Sequence, residues 1–125
     1  MFCVLQTEEY VQSVKRLGLS EAEAHSIVQK IAENPTLGDL IPGTGGARKW
    51  RVPYGAKGKR GGGRVVSYYA GEDIPVFLLD IFSKGEKINL SQRERNELKE
   101  ILQGLADDYR DGVRQKVARL METGT

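Results

Sequence analysis

The sequence predicts one small α+β domain, in which a largely antiparallel sheet carries an N-terminal helical hairpin and a C-terminal helix packed on one face. Three observations predict this class. The 125 residues are enough for a single hydrophobic core. Hydrophobic and charged contents of 39% and 29% are typical of an ordinary globular chain. The spacing of apolar residues and the turn signals give the order β-α-α-β-β-β-α.

The first elements are a short strand and two helices. Residues 2–6 are apolar and short, which indicates an opening strand. Thr7 is a typical helix N-cap, and apolar residues then recur every three to four positions until Gly18 ends the helix. Ser20 begins a second helix with the sequence of a capping box, and this helix ends before Pro35. Two helices joined so closely form a helical hairpin.

Strands follow a turn-rich segment. Residues 48–54 form a predicted strand with basic side chains, and a glycine- and lysine-rich loop occupies 55–63. Residues 65–69 are β-branched and aromatic, which favours a second strand. The third strand, 76–82, is almost continuously apolar, as is typical of a central strand covered on both faces. Ser91 then caps the last helix with a second capping box.

Composition also bears on compartment and cofactors. Cys3 is the single cysteine, so neither an intramolecular disulfide nor a multi-cysteine metal site is expected. No apolar run approaches the roughly 18 residues that cross a bilayer, so we expect a cytoplasmic protein with no membrane partner. We expect residues 1–103 to form the domain and residues 104–125 to form a charged helical extension of it.

The charge distribution is more informative than the net charge of +2. Between Asp39 and Glu72 there is no acidic residue. The seven cations from residue 48 to residue 64 are Arg48, Lys49, Arg51, Lys57, Lys59, Arg60 and Arg64. Such segregation is expected of a site for a polyanion. The alternative is a solvated, flexible loop.

Strand alternation places part of this charge on one surface. Trp50 is expected in the core, and Tyr69 on the next strand likewise. The residues then expected together on the open face of the sheet are Lys49, Arg51, Arg64 and Tyr68. Lys84 follows the third strand, near the same face. Cations for phosphate and a ring for base stacking predict contact with nucleic acid.

Other chemistries have less support. The glycine-rich loop joins two strands rather than a strand and a helix, which excludes a P-loop. The single histidine, His25, lies beside the apolar stripe of a helix, and a structural role is expected for it. Two-metal phosphodiester chemistry needs clustered carboxylates, and Asp80 on the central strand is expected to be structural. No metal and no cofactor are therefore expected.

Three segments together resemble a known family. They are GGARKWR at 45–51, GKRGGGRVVSYY at 58–69 and LLDIFSKGEK at 78–87. Their combination and the order of elements resemble the RelE/HigB toxins of type II toxin–antitoxin systems, over about residues 1–103. The resemblance implies a metal-independent endoribonuclease that cleaves mRNA in the ribosomal decoding site, and a cognate antitoxin with a helix-turn-helix domain as its inhibitor.

The resemblance also implies roles for individual residues. The expected catalytic residues are Lys49, Arg51, Arg64 and Lys84. The expected RNA-binding residues are Arg48, Lys57, Lys59, Arg60 and Tyr68. The best-studied branch of the family has an arginine and a tyrosine after its last strand, whereas this chain has Gly85 near the arginine position and no tyrosine until Tyr109. The general base therefore stays open between Lys49 and Lys84.

Two alternatives remain at this point. A non-catalytic protein of the same fold would inhibit a protein target such as gyrase, and it would not need the basic face of the sheet. A plain nucleic-acid-binding module would need the basic face but no reaction. Cleavage of mRNA separates both from the endoribonuclease.

Overall fold

The computed structural model describes residues 2–53, 62–86 and 89–123. Its elements in chain order are β1 (Val4–Gln6), α1 (Glu8–Leu17), α2 (Glu21–Glu33), β2 (Asp39–Leu40), β3 (Ala47–Val52), β4 (Gly63–Tyr68), β5 (Val76–Ser83) and α3 (Gln92–Thr123). The predicted α+β class is confirmed. The short strand β2 lies in a segment for which the sequence indicates only turns.

The strands form one sheet in the order β1-β5-β4-β3-β2. β1 pairs with β5 in parallel, with Val4 opposite Val76. The other three pairings are antiparallel, so the sheet is largely antiparallel as predicted. β5 lies inside the sheet between β1 and β4, which agrees with its apolar sequence.

Local sequence signals begin and end the helices of the hairpin. The Thr7 hydroxyl accepts a hydrogen bond from the Tyr10 N–H at 3.3 Å and donates one to the Leu78 carbonyl at 2.9 Å. Gly18 ends α1 with φ 71°, the left-handed conformation that favours glycine. Ser20 and Glu23 form the predicted capping box of α2. These caps confirm the predicted helix boundaries.

Each face of the sheet carries its own core. The hairpin side contains Tyr10, Ile27, Ile31, Trp50, Val52, Val65, Val76, Leu78 and Ile81. The opposite side contains Ala47, Val66, Phe77, Leu79, Phe82, Leu90, Leu102 and Ala106. Because neighbouring strand residues point to opposite faces, α3 covers the face away from the hairpin. The expectation that all helices pack on one face is corrected here, since apolar residues on both sides of β5 need cover.

α3 is one continuous helix of 32 residues, about 48 Å long at 1.5 Å per residue. It passes through Gly104 without a break, so the predicted extension over 104–125 continues the last helix as far as Thr123. The Tyr109 ring packs edge-on against Phe77, with 5.9 Å between ring centroids. This contact fastens the middle of α3 to the sheet. The boundary expected at residue 103 stays a prediction.

Candidate nucleic-acid interface

The strand register brings three of the expected site residues together. In the pairing of β3 with β4, Arg51 lies opposite Arg64 and Lys49 lies opposite Val66. Directly opposed residues share a face of the sheet, with Cα atoms about 4.5–5.5 Å apart. Lys49, Arg51 and Arg64 therefore form a continuous line of cations, which we call the basic row. Its face is the one that α3 partly covers, and the predicted grouping of these three residues is confirmed.

Arg64 is the buried member of the basic row. It is 8% exposed and lies between two cross-strand neighbours, Arg51 on β3 and Phe82 on β5. Its guanidinium donates a hydrogen bond to the Gly63 carbonyl at 3.3 Å. Arg51 is exposed. The row thus combines a fixed guanidinium with one that solvent and ligands reach freely.

Lys49 is held by residues outside the two strands. Its ammonium donates a hydrogen bond to the Asn89 side-chain oxygen at 2.5 Å. On the other side, Asp39 of β2 lies directly opposite Lys49 in the register. Sequence reasoning missed both neighbours, because the pairing of β2 and the approach of residue 89 are long-range contacts without a local signal.

Lys84 lies at the end of the sheet where Arg64 lies. Its backbone N–H donates to the Gly62 carbonyl at 3.5 Å, and Ser83 pairs with Gly63 at the start of β4. The turn is fixed by reciprocal hydrogen bonds, from the Ser83 N–H to the Glu86 carboxylate at 2.8 Å and from the Glu86 N–H to the Ser83 hydroxyl at 3.2 Å. The backbone of Lys84, whose side chain is exposed, therefore lies near the Arg64 end of the basic row.

Arg48 and Tyr68 are not brought into the row. Arg48 alternates to the hairpin face, where its guanidinium donates to the Gly38 carbonyl at 3.0 Å. Tyr68 shares the face of the row but stands four residues from Arg64 along β4, about 13 Å away. Its ring is half-buried and stacks on Phe77, with 6.4 Å between centroids. Lys57, Lys59 and Arg60 lie outside the described residues.

α3 adds basic residues that sequence reasoning did not consider. Arg95 is half-buried, and its Nε atom has no hydrogen-bond partner within the part of the chain that the structure describes. Lys99 follows one helical turn later, with its Cγ 3.9 Å from where a Cβ on Gly45 would lie. Residues four apart share a helix face, so both cations belong to the side of α3 nearest the start of β3. The charged run at the start of α3 was the available signal.

The residues weighed for metal chemistry have other environments. The Asp80 carboxylate accepts hydrogen bonds from the Ser13 hydroxyl at 2.6 Å and from the Ile81 N–H at 2.8 Å, contacts that fit the expected structural role. His25 is exposed on α2. Within 2–53, 62–86 and 89–123, no three His, Cys, Asp or Glu residues are grouped as metal ligands. No helix in these ranges is long and apolar enough to span a membrane.

Comparison with known proteins identifies the family. A family model described as "RelE toxin of RelE / RelB toxin-antitoxin system" matches residues 3–125. The chain belongs to the RelE toxin family. The predicted resemblance is thereby confirmed, and membership implies a cognate antitoxin as the partner of this RelE-family toxin. A solved structure of the E. coli toxin RelE, a double arginine-to-alanine mutant in the free state, is similar at TM-score 0.44 and 15% identity, over 64% of this chain and 80% of that chain.

Proposed function

We propose that this RelE-family toxin is a metal-independent endoribonuclease that cleaves mRNA in the ribosomal decoding site, and that it acts in the cytoplasm. The observation that carries the proposal is the basic row. Two arginines face each other across β3 and β4, a lysine continues the line, and Lys84 lies beside its end. Clustered cations of this kind suit a phosphodiester whose charge grows during reaction.

In the proposed reaction, the RNA 2′-hydroxyl attacks the adjacent phosphorus. The products are a 2′,3′-cyclic phosphate and a free 5′-hydroxyl. Arg51 and Arg64 stabilise the charge on the phosphorane oxygens, because planar guanidinium groups bind phosphate oxygens in pairs. Removing one such contact costs roughly 2–4 kcal/mol of transition-state stabilisation.

Lys49 and Lys84 lie toward opposite ends of the basic row. We assign proton abstraction from the 2′-hydroxyl to one of them and neutralisation of phosphate charge to the other. The hydrogen bond from Lys49 to Asn89 fixes the position of that ammonium, which favours a phosphate-binding role for it. The exposed Lys84 is then the candidate base.

The remaining expected contacts concern RNA outside the reacting bond. Lys57, Lys59 and Arg60 are proposed to hold the phosphate backbone, and such contacts weaken with salt because bound counterions are released. Arg48 and Tyr68 lie away from the row, and we propose that they contact flanking nucleotides rather than the scissile phosphate.

Arg64→Ala tests the proposal. We expect mRNA cleavage with purified ribosomes to slow roughly 30- to 1,000-fold, the equivalent of about 2–4 kcal/mol. Arg93→Ala is the matched control, since it removes an arginine of 89% side-chain exposure from α3 and should cleave at the wild-type rate. Because Arg64 is buried, circular dichroism must show a folded variant.

Arg51→Ala keeps the test decisive if Arg64→Ala does not fold, because Arg51 is exposed. Wild-type cleavage by both variants would refute the assignment of the row, as would products without cyclic phosphate ends. RNA binding without cleavage by the wild-type protein would instead indicate a plain binding module. Inhibition of gyrase without RNA cleavage would indicate the other alternative.

A further inference from the structure

The last turns of α3 expose a stripe of apolar side chains. Val113, Val117, Leu120 and Met121 are 47%, 51%, 63% and 71% exposed. Their spacing of three, four and eight positions places them on one side of a helix. We call residues 113–123 the overhang and these four side chains its apolar stripe. Single exposed apolar residues are ordinary on protein surfaces, but an aligned set on one helix marks an interaction surface.

The body of the protein holds α3 just before the overhang. Arg110 donates two hydrogen bonds to the Asp73 carboxylate, at 2.5 and 2.8 Å. These hydrogen bonds hold the pKa of Asp73 below its usual range. Tyr109 packs against Phe77 at the same level. The direction of the overhang is therefore set by contacts at its base.

A cleft of about 560 Å³ opens beside the base of the overhang. Its lining residues are Phe2, Cys3, Glu72, Asp73, Ile74, Pro75, Tyr109 and Val113. Val113 belongs to both the cleft and the apolar stripe, so the two surfaces are continuous. Clefts of roughly 300–1,000 Å³ accept compact apolar groups, and this one has room for a large side chain of a partner.

The charges of the overhang indicate the kind of partner. Between Asp111 and Glu122 the charged residues are Arg114, Lys116 and Arg119, all positive. At 100° per residue, Arg114 and Lys116 flank the apolar stripe on its two sides. A second copy of the same helix would oppose positive edges to positive edges, which is unfavourable. A helix with acidic edges has the complementary charge.

We propose that the overhang and its cleft bind an amphipathic helix of the antitoxin. That helix presents an apolar stripe, places Asp or Glu opposite Arg114 and Lys116, and inserts one large apolar side chain into the cleft. Membership in the toxin family supplies the kind of partner, the exposed stripe and the cleft supply the surface, and neither depends on the cleavage chemistry. The overhang lies beyond the contact of Tyr109 with Phe77, whereas α3 starts beside Asn89 and the basic row. Binding here contributes affinity without covering the row.

Val117→Asp tests the surface, with Gln115→Asp as its matched control. Gln115 lies on the opposite side of the same helix. Its variant therefore adds the same negative charge at nearly the same position along the helix axis, but away from the apolar stripe. Calorimetric titration with the purified cognate antitoxin should give binding at least 30-fold weaker for Val117→Asp and within twofold of wild type for Gln115→Asp. Lys116→Glu, which leaves the stripe intact, should weaken binding at least fivefold at low salt.

The single cysteine provides an independent readout. Cys3 is exposed and lines the cleft, so bound antitoxin should slow its alkylation by iodoacetamide at least fivefold, measured by mass spectrometry of the peptide containing it. Wild-type affinity for antitoxin in both Val117→Asp and Lys116→Glu would overturn the proposal. Unprotected Cys3 in the complex would overturn the role of the cleft, and a toxin dimer broken by Val117→Asp would assign the stripe to a second copy.

Measuring mRNA cleavage alongside antitoxin binding distinguishes a failure of the docking proposal from a failure of the proposed cleavage reaction. Val117→Asp should cleave mRNA as the wild type does while resisting neutralisation by antitoxin. A wild-type protein that binds antitoxin but cleaves no RNA would refute the reaction and leave the docking surface standing. Normal mRNA cleavage together with wild-type affinity for antitoxin in both Val117→Asp and Lys116→Glu would refute the docking surface and leave the reaction standing.

Discussion

The substitution Tyr10→Phe removes a hydroxyl group that is buried in the core on the hairpin side of the sheet. Tyr10 is 0% exposed, and its hydroxyl has no hydrogen-bond partner among the residues that the structure describes. Burial raises the pKa of Tyr10 from 10.0 to about 12, because a phenolate in the core would lose its hydration. The folded protein therefore keeps this proton at a pH where the unfolded chain releases it.

The free energy of unfolding should fall as pH rises from about 10 to about 12, since the folded state there binds more protons than the unfolded state. The pKa values of 10.0 and about 12 correspond to a loss of about 1 kcal/mol by pH 11 and of roughly 3 kcal/mol above pH 12. Below pH 10 this contribution is fully present. The Tyr10→Phe variant has no phenol at this position, so its free energy of unfolding should not show this decrease at alkaline pH. At pH 7 it also removes an unpaired hydroxyl, so it should equal or exceed the wild type in stability by up to roughly 1 kcal/mol.

Urea denaturation followed by circular dichroism at pH 7, 9, 10 and 11 measures the effect. The compared quantity is the difference between the two proteins at each pH, because all other tyrosines and lysines then cancel. The difference should grow by about 1 kcal/mol between pH 9 and pH 11. A constant difference over that range would refute the reasoning, and so would a Tyr10→Phe protein much less stable than wild type at pH 7.

Two further variants probe the sheet that carries the basic row. Trp50→Phe removes the hydrogen bond from its indole N–H to the Ser67 hydroxyl at 3.1 Å and leaves that buried hydroxyl unpaired, so urea denaturation should show a loss of roughly 1–3 kcal/mol. A loss unchanged when Ser67→Ala is added would contradict this cause. Gly38→Ala should lower the Tm more than Gly18→Ala. Both glycines have positive φ, but only at position 38 does an added Cβ come within 2.6 Å of the Lys49 carbonyl oxygen. Equal Tm values in thermal unfolding would contradict the close approach.

Structural features that depend on only a few adjacent residues could be predicted from the sequence. Thr7, Gly18 and Ser20 bound the helices of the hairpin as expected, because a cap needs only neighbouring backbone groups. Trp50 was expected in the core and is buried there, which shows which face of the sheet the even-numbered residues of β3 occupy. Because side chains alternate along a strand, Lys49 and Arg51 lie on the other face. The core of the candidate site therefore followed from local rules.

Features that depend on distant contacts could not be predicted. The choice of face for α3 depends on how both sides of β5 are covered, and an apolar stripe on a helix does not say which face it will meet. Asn89 reaches Lys49 across 40 positions of the chain. Tyr68 was expected to stand open beside the basic row, yet α3 and Phe77 half-bury its ring. Strand alternation predicts on which face of the sheet a side chain lies, but it does not predict how deeply that side chain is buried.

The parallel pairing of β1 with β5 sets an order of events during synthesis. β3 and β4 are consecutive strands of the sheet and pair with each other, so their contacts are local in the chain. Val4 has Val76 as its partner, and β1 must wait for its place in the sheet until β5 has left the ribosome. In a nascent chain, the strands that carry Arg51 and Arg64 are therefore synthesised before the strand that completes the sheet beside them. The last helix to emerge, α3, closes the face on which those two arginines lie.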